Sequence, residues 1–215
     1  MKPIFNRIFN SLLWRFHTVL IILISTGLAF AAEQYNELDL GFPITGIPLV
    51  ITVFGLLAIT WNSHDALNKD LVSGTLRFTV TRTSRTAIFI STAASHFLYW
   101  LVLLIIIVLF TGTVFEDVTL GSMTTHITFV FFSLSAAFFL SSIIRTPERS
   151  KTAAVIIGVL FPVLTIWSYL ADNWFHAVTP YHMYVYDSLL AIVIPLFLGS
   201  VLFSLAFKSM QRRDL

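Results

Sequence analysis

Six histidines, eleven carboxylates and no cysteine are the material for chemistry in this 215-residue chain. His17, His64, His96, His126, His176 and His182 are scattered and form no paired ligand motif. His176 and His182 share one loop flanked by Asp172 and Asp187; ordinary loop side chains explain these four residues better than a metal or an acid–base pair. The lack of cysteine excludes disulfides and thiolate metal sites. A glycine-rich phosphate loop ending in Lys-Ser/Thr is also missing, so nucleotide is not expected to bind in the usual way. No Asp, Glu, Lys or Arg falls mid-way along an apolar stretch. Ion-coupled carriers keep such a group there despite a cost of about 2.5–3.5 kcal/mol on insertion scales. Energy for any transport is therefore expected from another polypeptide. His96, inside an apolar stretch, is expected to hydrogen-bond a neighbouring helix.

The polar segment 62–86 is the most informative. Asn62 or Ser63 is suited to cap a short helix, with Asp65 in its first turn and Gly74 at its end. Leu67 and Leu71 share one face, Asp65 and Lys69 another. An apolar ridge with charged flanks suits docking to a partner; the competing reading is a plain connecting helix. Thr75 to Arg82 alternates with period two, but a lone strand has no pairing partner. An amphipathic turn, with Arg82 and Arg85 at phosphate level, is expected instead.

These residues need elements to carry them, and composition dictates which. Hydrophobic residues make up 57% of the chain, charged residues 11%, and mean hydropathy is +0.86. A soluble domain of this size cannot hide so much apolar surface. Crossing a hydrocarbon layer of ~30 Å takes about 20 apolar residues. Six stretches qualify, near 17–32, 44–61, 87–111, 123–144, 152–171 and 189–207. If each crosses once, all thirteen Lys and Arg fall on one side, while seven of the eleven acids fall on the other. Basic residues near span ends stay in the cytoplasm, so both termini are expected there.

The net charge of +2 and pI near 9.0 are then topology signals, and no nucleic-acid partner is expected. Ala29-Phe30-Ala31 looks like a signal-peptidase site, but the preceding basic region is long and patterned, so the segment is expected to be retained. Residues 1–16 place Ile4, Phe5, Ile8, Phe9, Leu12, Leu13 and Phe16 against Lys2, Asn6, Arg7, Asn10 and Arg15. That pattern predicts an interfacial helix with its aromatic face in the acyl boundary. Pro48, Pro162 and Pro195 lie inside spans, where neighbours can satisfy the freed carbonyls. The aromatic segment 172–188 is too apolar for a solvated loop and is expected to form an outer cap.

Asp70-Leu71-Val72-Ser73-Gly74-Thr75-Leu76-Arg77, followed by Thr81-Arg82-Thr83-Ser84-Arg85, resembles the signature of ABC-2 type permeases. The Pro-Val usual before Ser-Arg is missing. Interfacial helix, six spans, long first cytoplasmic loop and outer cap extend the resemblance over the whole chain. It implies the type V, or ABCG-like, exporter fold in a cell membrane, of the bacterial inner-membrane kind. It implies one transmembrane domain over 1–215, partnered by an ABC ATPase that holds ATP and Mg, and by a second permease chain. No cofactor and no catalytic activity are expected of this chain. By position, Asp65, Leu67, Asn68, Lys69, Asp70 and Leu71 would couple to the ATPase. Gly74, Thr75, Arg77, Arg82 and Arg85 would form the elbow leading to span three. The pathway would run between spans two and five, past Thr52, Phe54, Thr60, Phe161, Thr165 and Trp167, and take a peptide, drug or lipid-like cargo. An ion-coupled carrier or channel and an intramembrane enzyme are the alternatives; each needs a buried charge, filter or acid–base cluster.

Overall fold

The computed structural model describes residues 2–13, 20, 21, 23, 24, 27, 54–72, 83–115, 120–171 and 189–212. Among the described residues the regular structure is entirely helical. The helices are α1 (Lys2–Leu13), α2 (Leu56–Ser63), α3 (Asn68–Val72), α4 (Arg85–Phe115), α5 (Leu120–Ile143), α6 (Pro147–Leu170) and α7 (Leu190–Arg212). Three of these are long and apolar enough to cross a membrane, over Arg85–Leu109, Met123–Ile143 and Leu190–Arg212. The chain is a membrane protein, all-α over its described residues.

The long helices coincide with expected spans because apolar runs in lipid must satisfy every backbone group internally. Pro162 lies inside α6 and Pro195 inside α7. At 31 residues, α4 extends ~46 Å, half as long again as the hydrocarbon layer. Its first turns carry Ser91, Thr92, Ser95 and His96, all buried. Small polar residues at such positions let helices approach closely and bond across the contact.

Packing is densest where α7 lies along α5. A Cβ on Gly199 would come within 2.9 Å of the Phe131 ring and 3.1 Å of the Phe132 Cα. Phe89 of α4 is fully buried between them, its ring 5.1 Å from Phe203, 5.3 Å from Phe207 and 6.0 Å from Phe138. On the other side, α2 bridges α5 and α6. Gly158 permits the α2–α6 approach: a Cβ there would sit 2.7 Å from the Leu57 Cα.

The charged helix ends meet at one end of the molecule. Arg85, opening α4, donates to the Gln211 carbonyl near the end of α7 at 2.9 Å, filling a carbonyl that the helix leaves unpaired. Gln211 returns a bond to Thr86 Oγ1 at 3.0 Å, and Ser209 donates to the Ser142 carbonyl at 3.0 Å. Lys151 holds its ammonium 4.6 Å from the centre of the Trp61 ring.

The interfacial helix departs from expectation in where its apolar face goes. Ile4, Ile8, Phe9 and Leu12 pack on the protein core, and Ser95 donates to the Phe5 carbonyl at 3.2 Å. Protein contact along α4 thus takes much of the surface assigned to the acyl boundary. Phe5 and Phe9 remain half-buried and stack with centroids 5.7 Å apart.

Candidate functional site

The segment joining α2 to α3 is built differently from the capped helix expected of it. Asn62 and Ser63 do not begin a helix; they end α2, and both are buried. Their side chains reach α4. Asn62 Nδ2 donates to Tyr99 Oη at 3.4 Å. Ser63 Oγ lies 3.0 Å from His96 Nδ1 and accepts from Trp100 Nε1 at 3.3 Å. Because the indole can only donate, the Ser63 proton is available to His96. Burial explains the change of role: cross-helix partners satisfy these groups in the interior, where a surface cap would leave them bare. His96 therefore bonds a neighbouring helix, as expected of it, and Tyr99 and Trp100 combine packing with polar contacts.

Residues 64–67 form a tight turn, with Ala66 N donating to Ser63 O at 3.2 Å and Lys69 N to Asp65 O at 3.1 Å. Asp65 and Lys69 pair as their spacing predicts, 3.9 Å apart. With Lys69 well exposed, such a pair adds little, ~0.3–0.5 kcal/mol. Leu67 is only 2% exposed, so it does not stand out as the surface ridge expected of Leu67 and Leu71, and Asn68 is fully buried as well. They are anchors. Ser141 Oγ accepts both Leu67 N–H at 2.9 Å and Asn68 N–H at 3.1 Å. Asn68 Nδ2 donates to the Ile144 carbonyl at 3.3 Å, just past the end of α5. From α6, Ser150 Oγ donates to the His64 carbonyl at 2.6 Å.

The turn is thus pinned to α4, α5 and α6, while Lys69 and Val72 face outward. Asp70 and Leu71 stand in α3, their side chains outside the described residues, as are Gly74, Thr75, Arg77 and Arg82 altogether. Arg85 is found binding α7. Sequence reasoning missed Ser141 and Ser150. Both are small hydroxyl residues at or beside the ends of apolar stretches, and that was their one available signal.

The residues assigned to a pathway separate into two groups. Thr60 is 0% exposed; its hydroxyl lies 2.6 Å from the Leu56 carbonyl and 3.3 Å from the Ala154 carbonyl of α6. It belongs to the α2–α6 contact, between the second and fifth expected spans. Phe161 is half-buried against the core. Phe54 and Trp167 face outward, Trp167 at 58% exposure, and Trp167 continues an exposed row of Ile156, Val159, Leu160 and Val163 on α6. Thr165 lies in α6 with its side chain outside the described residues, and Thr52 lies outside them entirely.

A cavity of 180 Å³ opens beside the turn, lined by Arg7, Ile8, Ser11 and Leu12 of α1, by Asp65, Ala66 and Lys69, and by His96 of α4. Among the described residues no three His, Asp or Glu side chains group as a metal site requires. His176, His182, Asp172 and Asp187 lie outside those residues. No protein-family model matches the chain, and no curated protein matches it.

Proposed function

We propose that this chain is the membrane half of an ATP-driven exporter of the ABC-2 permease type. It would cross the membrane six times with both termini cytoplasmic and work with a separate ATPase subunit and a second permease chain. The observation that carries the reading is the anchorage of residues 62–68. One turn is tied by Asn62 and Ser63 to α4, by Leu67 and Asn68 to α5, and by His64 to α6. A push on the adjoining α3 would reach three helices at once, which is what a lever driven by a separate motor needs. The gathering of Arg85, Lys151 and Arg212 ends at the same end of the bundle agrees with a single cytoplasmic face. The outward apolar row on α6 supports a pathway or chain interface on the α2–α6 side.

Co-expression with an ABC ATPase subunit tests the proposal. The two should co-purify, and ATP hydrolysis should change on assembly. Asp70→Lys and Leu71→Asp should then uncouple hydrolysis from transport, with export falling about tenfold or more while membrane insertion persists, since a charge forced onto a docked face costs over ~1.4 kcal/mol. Normal transport by both variants, or transport by the purified chain without any ATPase, would refute it.

A further inference from the structure

We infer that the cavity between α1, the 64–69 turn and α4 binds a phosphate group, and that its source is an anionic phospholipid headgroup. The tertiary fold brings Arg7 and Lys69, from distant parts of the sequence, to one 180 Å³ cavity. A single water needs only ~10–15 Å³ of such space, so the cavity admits a group of several heavy atoms. Arg7 supplies a planar fork of donors suited to phosphate oxygens, and Lys69 a mobile ammonium. The Ser11 hydroxyl and the buried His96 ring add polar partners. Asp65, 3.9 Å from Lys69, opposes an anion and is outweighed by the two cations. Ile8, Leu12 and Ala66 form an apolar wall for the glycerol and first acyl carbons.

The cavity's level selects lipid over a solute. Trp61, under the Lys151 ammonium, lies in the last turn of α2 two residues before Ser63, the residue that bonds His96. Trp and Lys paired in this way mark the headgroup layer. The cavity lies at the same level, on an amphipathic helix, next to the turn that anchors α2 to α5. An anionic lipid seated there would join α1 to that turn. The inference needs only a membrane protein and stands apart from the exporter reading.

The test uses the full chain in detergent, with bound lipid counted by native mass spectrometry. Phosphatidylglycerol, phosphatidylcholine and soluble glycerol phosphate are the probes. One phosphatidylglycerol should be retained in preference to phosphatidylcholine, and Arg7→Gln with Lys69→Gln should weaken retention roughly thirtyfold, the factor two juxtamembrane cations carry. Ala66→Leu should also displace it with every charge intact, because the larger side chain fills the cavity. Lys208→Gln, an exposed cation on α7, should leave retention unchanged. Competition by glycerol phosphate alone would keep the phosphate site but overturn the lipid as its source. Unchanged retention in both the double variant and Ala66→Leu would overturn the site. Equal loss on Lys208→Gln would reduce it to diffuse attraction, and would also overturn it.

Discussion

Ser141 satisfies two backbone donors of the turn with one oxygen, and no other side chain supplies that acceptor at Leu67 and Asn68 among the bonds described. Its removal would leave two buried N–H groups without a partner, each worth about 1–3 kcal/mol when unsatisfied. Ser141→Ala is therefore expected to destabilise the protein by ~2 kcal/mol, with water recovering part of the loss. The effect should also be local. Hydrogen exchange at the Leu67 and Asn68 amides should speed up by a larger factor than exchange in α7. Thermal unfolding in detergent together with exchange mass spectrometry measures both, and unchanged exchange over 64–72 would remove Ser141 from its anchoring role. Asn68 sharpens the point: its Nδ2 is bound while its Oδ1 has no partner among the described residues. The segment is held by backbone bonds, with the Asn68 side chain only half used.

Between elements, close approach is decided by single glycines. Gly158→Ala drives a Cβ to 2.7 Å from the Leu57 Cα, a backbone atom that cannot turn aside. Separating α2 from α6 should cost ~1–3 kcal/mol, the range typical of overpacking, and should lower the unfolding temperature. Gly27→Ala meets nothing within 4 Å and serves as the control, expected not to lower the unfolding temperature. Equal tolerance of the two changes would show that α2 and α6 are not in close contact. The long helices were legible from apolar runs because lipid leaves the backbone no choice but helix. The Asp65–Lys69 pair was legible for a similar reason, since i,i+4 spacing is geometry within one turn. The roles of Asn62, Ser63 and Leu67 were not. Cap and ridge are readings of a surface, and all three residues are buried against partners distant in sequence. Ser141 and Ser150 lie 74 and 86 residues from the groups they bind, a pairing that one sequence cannot display.

At the scale of the molecule, the question is which ends share a side of the membrane. Two bonds constrain the answer within the described residues. Arg85 at the start of α4 binds Gln211 near the end of α7, and Ser209 of α7 binds Ser142 at the end of α5. The start of α4 and the ends of α5 and α7 must therefore lie together, and each is flanked by basic residues. Moving any one of them across would strand its arginines or lysines on the wrong face and separate bonded partners. The natural absence of cysteine makes the arrangement directly measurable, because every introduced thiol is the sole target. Ser84→Cys and Lys151→Cys should react with a membrane-impermeant maleimide only after cells are permeabilised. Glu37→Cys and Asp187→Cys should react in intact cells. If Ser84→Cys labels from outside while Lys151→Cys does not, the loop and the α5–α6 turn sit on opposite faces. The bonds from Ser141, Ile144 and Ser150 to residues 64–68 forbid that, so such a result would remove the lever together with the six-span topology.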